Sequence, residues 1–108
     1  MKEAQALSIF AVLSNETRLR MLKRLVKAGG NGLSAGEIAD HVGAAPSRAS
    51  FHLAAMAEAG VVTATRNSRR IEYAVNFEAM GRLLQYLLED CCQNNEVVAA
   101  CCGQSGRC

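Results

Sequence analysis

Residues 34–60 read SAGEIADHVGAAPSRASFHLAAMAEAG, and their reading decides the fold. Ser34 followed three residues later by Glu37 matches a capping box, in which each side chain satisfies a backbone N–H at a helix start. The helix begun there runs to about Val42, and Gly43 breaks it. Pro46 suits the first turn of a second helix, because its fixed φ fits and its missing N–H has no partner there anyway. That second helix runs to about Ala59, with Gly60 as its C-terminal stop. A short helix, a turn and a second helix make a helix-turn-helix.

The pattern changes downstream. Val61 to Arg66 and Arg70 to Val75 are rich in β-formers, with turn-prone Asn67-Ser68 between them, which predicts a β-hairpin. A basic hairpin directly after a helix-turn-helix is a wing. Phe77 to about Cys92 is expected to be a last helix, with Met80, Leu83, Leu84, Leu87 and Leu88 covering more than one narrow stripe, enough for its own core and a partner. Upstream, Glu3 to Leu13 reads as a helix with Leu7, Phe10, Ala11 and Leu13 on one side. After an Asn15 N-cap, Glu16 to Lys27 carries Leu19, Leu22, Leu25 and Val26 at helical spacing and ends at Gly29-Gly30. The expected fold is mainly α with a β-hairpin wing, a dimeric winged helix-turn-helix over residues 1–92. Residues 93–108 lack strong periodicity and are expected to form a flexible cysteine-containing tail.

Placed on a helix at 100° per residue, Ala49, Leu53, Met56 and Ala57 share one side, assigned to the core. Ser47, Phe51, Ala54 and Glu58 point the other way, with Arg48 at the flank and His52 at the boundary. Small residues allow close approach to a DNA major groove, where Ser47, Ser50 and Arg48 meet phosphates or base edges and Phe51 meets a thymine methyl. The alternatives are a Phe51 tucked under a neighbouring loop and a His52 that is a hydrogen-bonded structural residue. Arg66, Arg69 and Arg70 in the wing suit backbone phosphates and a narrow minor groove, or else a solvated turn.

The chain has 108 residues, enough for one domain, and half of them are apolar, which excludes a disordered chain. Net charge is +2, so the placement of the arginines, not their sum, bears on nucleic acid. No stretch is apolar enough to span a membrane, and no secretory leader is seen, so the protein is expected to be cytoplasmic. All five cysteines lie late: Cys91, Cys92, Cys101, Cys102 and Cys108. A disulfide framework is not expected of a cytoplasmic chain, so these residues read as a thiolate ligand set or a redox site.

From Phe10 to Val75 the chain resembles the ArsR/SmtB family of bacterial metalloregulatory repressors. The resemblance is carried by Val12-Leu-Ser-Asn-Glu-Thr-Arg-Leu-Arg-Met-Leu22, Ser34-Ala-Gly-Glu-Ile-Ala39, Ser47-Arg-Ala-Ser-Phe-His-Leu53 and Ala59-Gly-Val-Val62. It implies a homodimer formed by the first and last helices, bound to an imperfect palindromic operator and released by a metal or metalloid. Many arsenic-responsive members carry Cys-x-Cys before the recognition helix; Gly36-Glu-Ile-Ala-Asp-His-Val42 has none. The last helix has no histidine for the zinc site that other members build there. Glu89-Asp-Cys-Cys92 instead resembles a subgroup with a vicinal cysteine pair ending the last helix and a third cysteine further on.

The ligand set implied is Cys91 and Cys92 with Cys101 or Cys102, and the effector is arsenite, As(III), or Sb(III), soft centres that favour three thiolates. Adjacent side chains on a helix diverge by about 100°, so the pair can share one ion only where the helix ends. The rival reading is a thiol redox or persulfide sensor, which needs accessible thiols of low pKa. Cys101 to Arg107 also fits Cys-x5-Arg, the phosphate loop of tyrosine-phosphatase-like enzymes and some arsenate reductases, normally set between a strand and a helix, but the match lies at the chain's end with no helix expected after it. The chain is therefore not expected to be an enzyme.

Overall fold

The structure, a computed structural model, describes residues 1–103. Its order is α1 (Glu3–Leu13), α2 (Glu16–Ala28), a 3-10 turn (Gly29–Asn31), β1 (Leu33–Ser34), α3 (Ala35–Val42), α4 (Pro46–Glu58), β2 (Val62–Asn67), β3 (Arg70–Val75), α5 (Phe77–Tyr86), a π-helical turn (Leu87–Cys91) and α6 (Glu96–Cys102). The fold is mainly helical with a small antiparallel wing, as the sequence predicts. No helix among the described residues is long and apolar enough to cross a membrane.

Local chemistry starts and stops the helices. Asn15 Oδ1 accepts the Arg18 N–H at 3.1 Å to open α2. At α3, Ser34 Oγ accepts the Glu37 N–H at 3.3 Å, and the Glu37 carboxylate accepts the Ser34 N–H at 2.9 Å, closing the expected capping box. Gly43 ends α3 in the left-handed region, and Pro46 is the first residue of α4. These ends fix the angle at which α4 leaves α3.

The sheet order is β1-β3-β2. Pairing of Val62 with Val75 and of Asn67 with Arg70 leaves Ser68-Arg69 as a two-residue turn, one residue later than expected. Ser68 takes a φ of 62°, which the tight hairpin requires. Strand β1 is an addition to the expected hairpin, and its two residues pair with Tyr73 and Glu72. Gly32, just before it, has a φ of +71°, and a Cβ there would lie 2.5 Å from the Tyr73 carbonyl oxygen. Only glycine lets the chain enter this joint, which fastens the base of the wing beside the start of α3.

Met21, Leu25, Ile38, Leu53, Met56 and Val61 are fully buried at the centre of the core. Two expectations change here. Helix α1 buries Ala6, Ile9 and Val12, so the Leu7–Phe10 side faces outward. Helix α2 buries Met21 with Leu22 and Leu25, leaving Leu19 and Val26 each 47% exposed. In both helices apolar residues occupy more of the circumference than one core can cover.

The last helix also departs from expectation. Its α-helical part stops at Tyr86, and the chain widens into the π turn, in which the Cys92 N–H bonds the Leu87 carbonyl at 2.9 Å. Gln93 and Asn94 come next, with φ of 48° and 56°, and reverse the chain. Asn95 Oδ1 then accepts the N–H groups of Val97 (2.9 Å) and Val98 (3.4 Å) and opens α6. Residues 96–102 are thus helical where an irregular tail is expected. Their helix is set by this reversal and cap, a local signal in Asn94-Asn95 that apolar periodicity does not register.

Candidate nucleic-acid interface and thiol cluster

Helix α4 turns Ala49, Leu53 and Met56 into the core and leaves Ser47, Arg48, Ser50, Phe51, Ala54 and Glu58 exposed. Phe51 is 67% exposed, so no loop covers it. A large aromatic held outward among small side chains costs hydration free energy unless something covers it. Its ring meets the His52 ring edge-on, with centroids 5.9 Å apart.

His52 is half-buried and tied inward. The Arg18 Nε–H donates to His52 Nδ1 at 2.9 Å, and an Arg18 terminal nitrogen donates to the Val12 carbonyl at 3.5 Å. Arg18 thus links the end of α1 to the recognition helix. Nδ1 is occupied as an acceptor, so the imidazole proton of the neutral form sits on Nε2, which is left to donate. Burial lowers the His52 pKa, and the charges of Arg18 and Arg48 lower it further. The ordinary value is 6.5. Because the folded form binds the proton less tightly, stability is complete above about 6.5 and is lost as pH falls through the folded pKa. A proton NMR titration of His52 should give a midpoint below 6.5, and Arg18→Met should raise it. A midpoint at or above 6.5 in the unsubstituted protein would mean that the Arg18 bond does not hold in solution.

The wing arginines divide. Arg66 and Arg69 are exposed and form no ion pair among the described residues. Arg70 is bound to the Glu37 carboxylate, and its Nε lies 3.9 Å from Glu72 Oε2. The Glu37 pKa is lowered, first by the hydrogen bond from the Ser34 backbone, then by the Ser34 hydroxyl, and also by Arg70. This pairing was invisible in the sequence, since 33 residues separate its members.

The thiols gather where the π turn meets α6. Cys91 and Cys102 are exposed; Cys92 and Cys101 are half-buried. Burial pushes the Cys92 thiol up, and a hydrogen bond with Cys91 and the nearby charges of Cys91 and Cys102 push the same way. Cys91 is thus the hydrogen-bond neighbour of Cys92, and Cys102 on α6 acts on it through charge alone. Among the described residues no three His, Cys, Asp or Glu side chains stand in metal-binding geometry. Arg107 of the Cys-x5-Arg match, and Cys108, lie outside the described residues.

Comparisons with known proteins agree with this layout. The helix-turn-helix domain family matches residues 13–64. The HTH-type transcriptional regulator YgaV of Escherichia coli (strain K12) is 34% identical over 83 residues, 77% of this chain and 82% of that protein. Among solved structures, an ArsR-like transcriptional regulator from Rhodococcus sp. RHA1 is 27% identical, with a TM-score of 0.74 over 90% of this chain and 89% of its own. The homodimeric winged helix-turn-helix DNA-binding domain Mb0332 of Mycobacterium bovis, a possible ArsR-family regulator, is 26% identical, with a TM-score of 0.63 over 81% of this chain and 80% of its own. These relatives are regulators of transcription, and with their fold, helix-turn-helix and wing all present here, the chain belongs to the ArsR family of winged helix-turn-helix transcriptional regulators and is not an enzyme.

Proposed function

We propose that the protein is a homodimeric repressor that binds an imperfect palindromic operator and is released from it by trivalent arsenic or antimony held on C-terminal thiols. The observation that carries this reading is the placing of four cysteines on two adjoining elements, Cys91 and Cys92 at the end of the π turn and Cys101 and Cys102 in the last turn of α6. Soft sulfurs select soft centres, and a pyramidal trivalent metalloid needs three. Three cysteine thiols condense with arsenous acid by losing three waters, their protons leaving with its hydroxyls. The donor set therefore fits arsenite in kind, and binding would draw α6 and the π turn together. Cys101 or Cys102 takes the third position, and the two together make a four-sulfur set available to cadmium or zinc.

Dimerisation rests on the exposed apolar side chains of the first and last long helices, Leu7, Phe10 and Leu84, and on the homodimeric state of the Mycobacterium bovis relative. Two recognition helices in such a dimer address half-sites about one DNA turn, roughly 34 Å, apart. Binding at the thiols acts on the end of the helix that carries the dimer face, and so on that spacing. Complete switching needs about 5.5 kcal/mol of differential affinity between the free and DNA-bound forms.

The test is fluorescence anisotropy of the reduced full chain on a duplex from upstream of its own gene, titrated with arsenite, cadmium and peroxide separately. Arsenite should release the DNA at low molar excess, and Cys92→Ser should keep full DNA binding while becoming insensitive. Equal sensitivity in Cys92→Ser, or release by peroxide alone, would overturn the metalloid reading, and the latter would establish a redox sensor.

A further inference from the structure

One oxygen of the Glu37 carboxylate does three things. It accepts the Ser34 N–H at 2.9 Å and the Ser34 hydroxyl at 3.1 Å, and it pairs with the Arg70 guanidinium. Ser34 is both the N-cap of α3 and the β1 partner of Glu72 in β3. The Arg70–Glu37 pair thus crosses the joint between the wing and the first helix of the helix-turn-helix, beside the two ladder positions of β1. Arg70 begins β3 directly after the turn that carries Arg69. Its guanidinium is turned toward α3 and away from the open role that Arg66 and Arg69 keep.

We infer that Arg70 is a positioning residue, which through Glu37 holds the wing at a fixed angle to the helix-turn-helix so that Arg66 and Arg69 reach DNA phosphates in register with α4. This rests on the reading of the chain as a DNA-binding repressor. An exposed ion pair adds little to folding stability. Orientation is a different matter: the root of the ribbon is buried at Val62, Tyr73 and Val75, but its outer part, residues 63–71, is exposed and gains from a tie to α3. With the wing so held, Arg69 and Arg66 are ordered before DNA arrives, and less freedom is lost on binding.

The experiment compares salt dependence across variants of the full chain on the same promoter duplex. Removing one charge-neutralised phosphate lowers the slope of log K against log salt by about 0.9. Arg69→Ala should lower the slope by about one unit for each phosphate that Arg69 neutralises. Arg70→Ala should weaken binding roughly three- to tenfold with the slope unchanged. Glu37→Gln keeps the capping box, since glutamine serves at that position, but removes the charge. It should reproduce the Arg70→Ala loss, and the double variant should be no weaker than either single one. Arg70→Lys should recover part of the loss. Melting temperatures of the variants serve as the folding control and should stay close to that of the unsubstituted chain. If Arg70→Ala lowers the slope as Arg69→Ala does, or if Glu37→Gln tightens binding, Arg70 binds a phosphate that Glu37 competes for, and the proposal is wrong. If Arg69→Ala leaves the slope untouched, the wing binds no phosphate and the proposal falls. Absence of specific binding by the unsubstituted chain would instead remove the functional reading beneath it.

Discussion

Leu84→Glu should yield a monomer that no longer holds its operator. Leu84 is 55% exposed on α5, and Leu7 is 57% exposed on α1, while the core is already complete without them. Covering side chains of this size contributes about 1.5–3 kcal/mol each, and a twofold interface counts every one twice. A carboxylate in such a face must either lose its hydration or keep the subunits apart. Loss of the second half-site then drops affinity toward non-specific levels, at least about a thousandfold weaker. Size-exclusion with light scattering reads the mass, and anisotropy on the promoter duplex reads the affinity. A variant that stays dimeric and binds within a fewfold of the original would place the interface on another face.

Leu53→Ala should be the most damaging change within the DNA-reading helix, although Leu53 never meets DNA. The side chain is fully buried on the inward face of α4, next to Ala49 and Met56 in the helical repeat. Truncating a buried leucine costs about 2–5 kcal/mol, from transfer and from the cavity that remains. Domains of this size have about 5–15 kcal/mol in all. Urea unfolding should therefore show a lower midpoint with an unchanged slope. Phe51→Ala on the outer face is the natural control and should leave the midpoint within about 0.5 kcal/mol of the original. Equal effects of the two changes would mean that α4 is rotated from the orientation described.

The helix-turn-helix was legible because its signals are local. Ser34, Glu37, Gly43, Pro46 and Gly60 each act on the backbone within four residues, and each sits at the end it was assigned. The split of α4 into an inner and an outer face was legible too, since its two sides differ plainly in size and polarity. What the sequence left open depends on partners far along the chain. On α1 both sides are apolar, and periodicity alone does not say which meets the core and which waits for another molecule. Strand β1 is two residues long, too short for alternation to register. The ties from Arg18 to His52 and from Arg70 to Glu37 span 34 and 33 residues. The first matches the structural alternative left open for His52, and the second gives Arg70 a partner that its place in the wing did not suggest.

The π turn at Leu87–Cys91 has an effect on surface geography. A wide turn takes up about one more residue than an α-helical one, so the residues beyond it are set back by about 100° around the axis. In an unbroken α-helix Cys91 would fall seven residues after Leu84 and Cys92 four after Leu88, both on the apolar stripe of the proposed dimer face. The extra residue rotates the two sulfurs off that stripe. A deletion of one residue within 87–90 would undo the offset and carry the thiols onto the proposed dimer face. One amino acid of added length thus keeps the apolar stripe of this helix and its sulfurs on different sides.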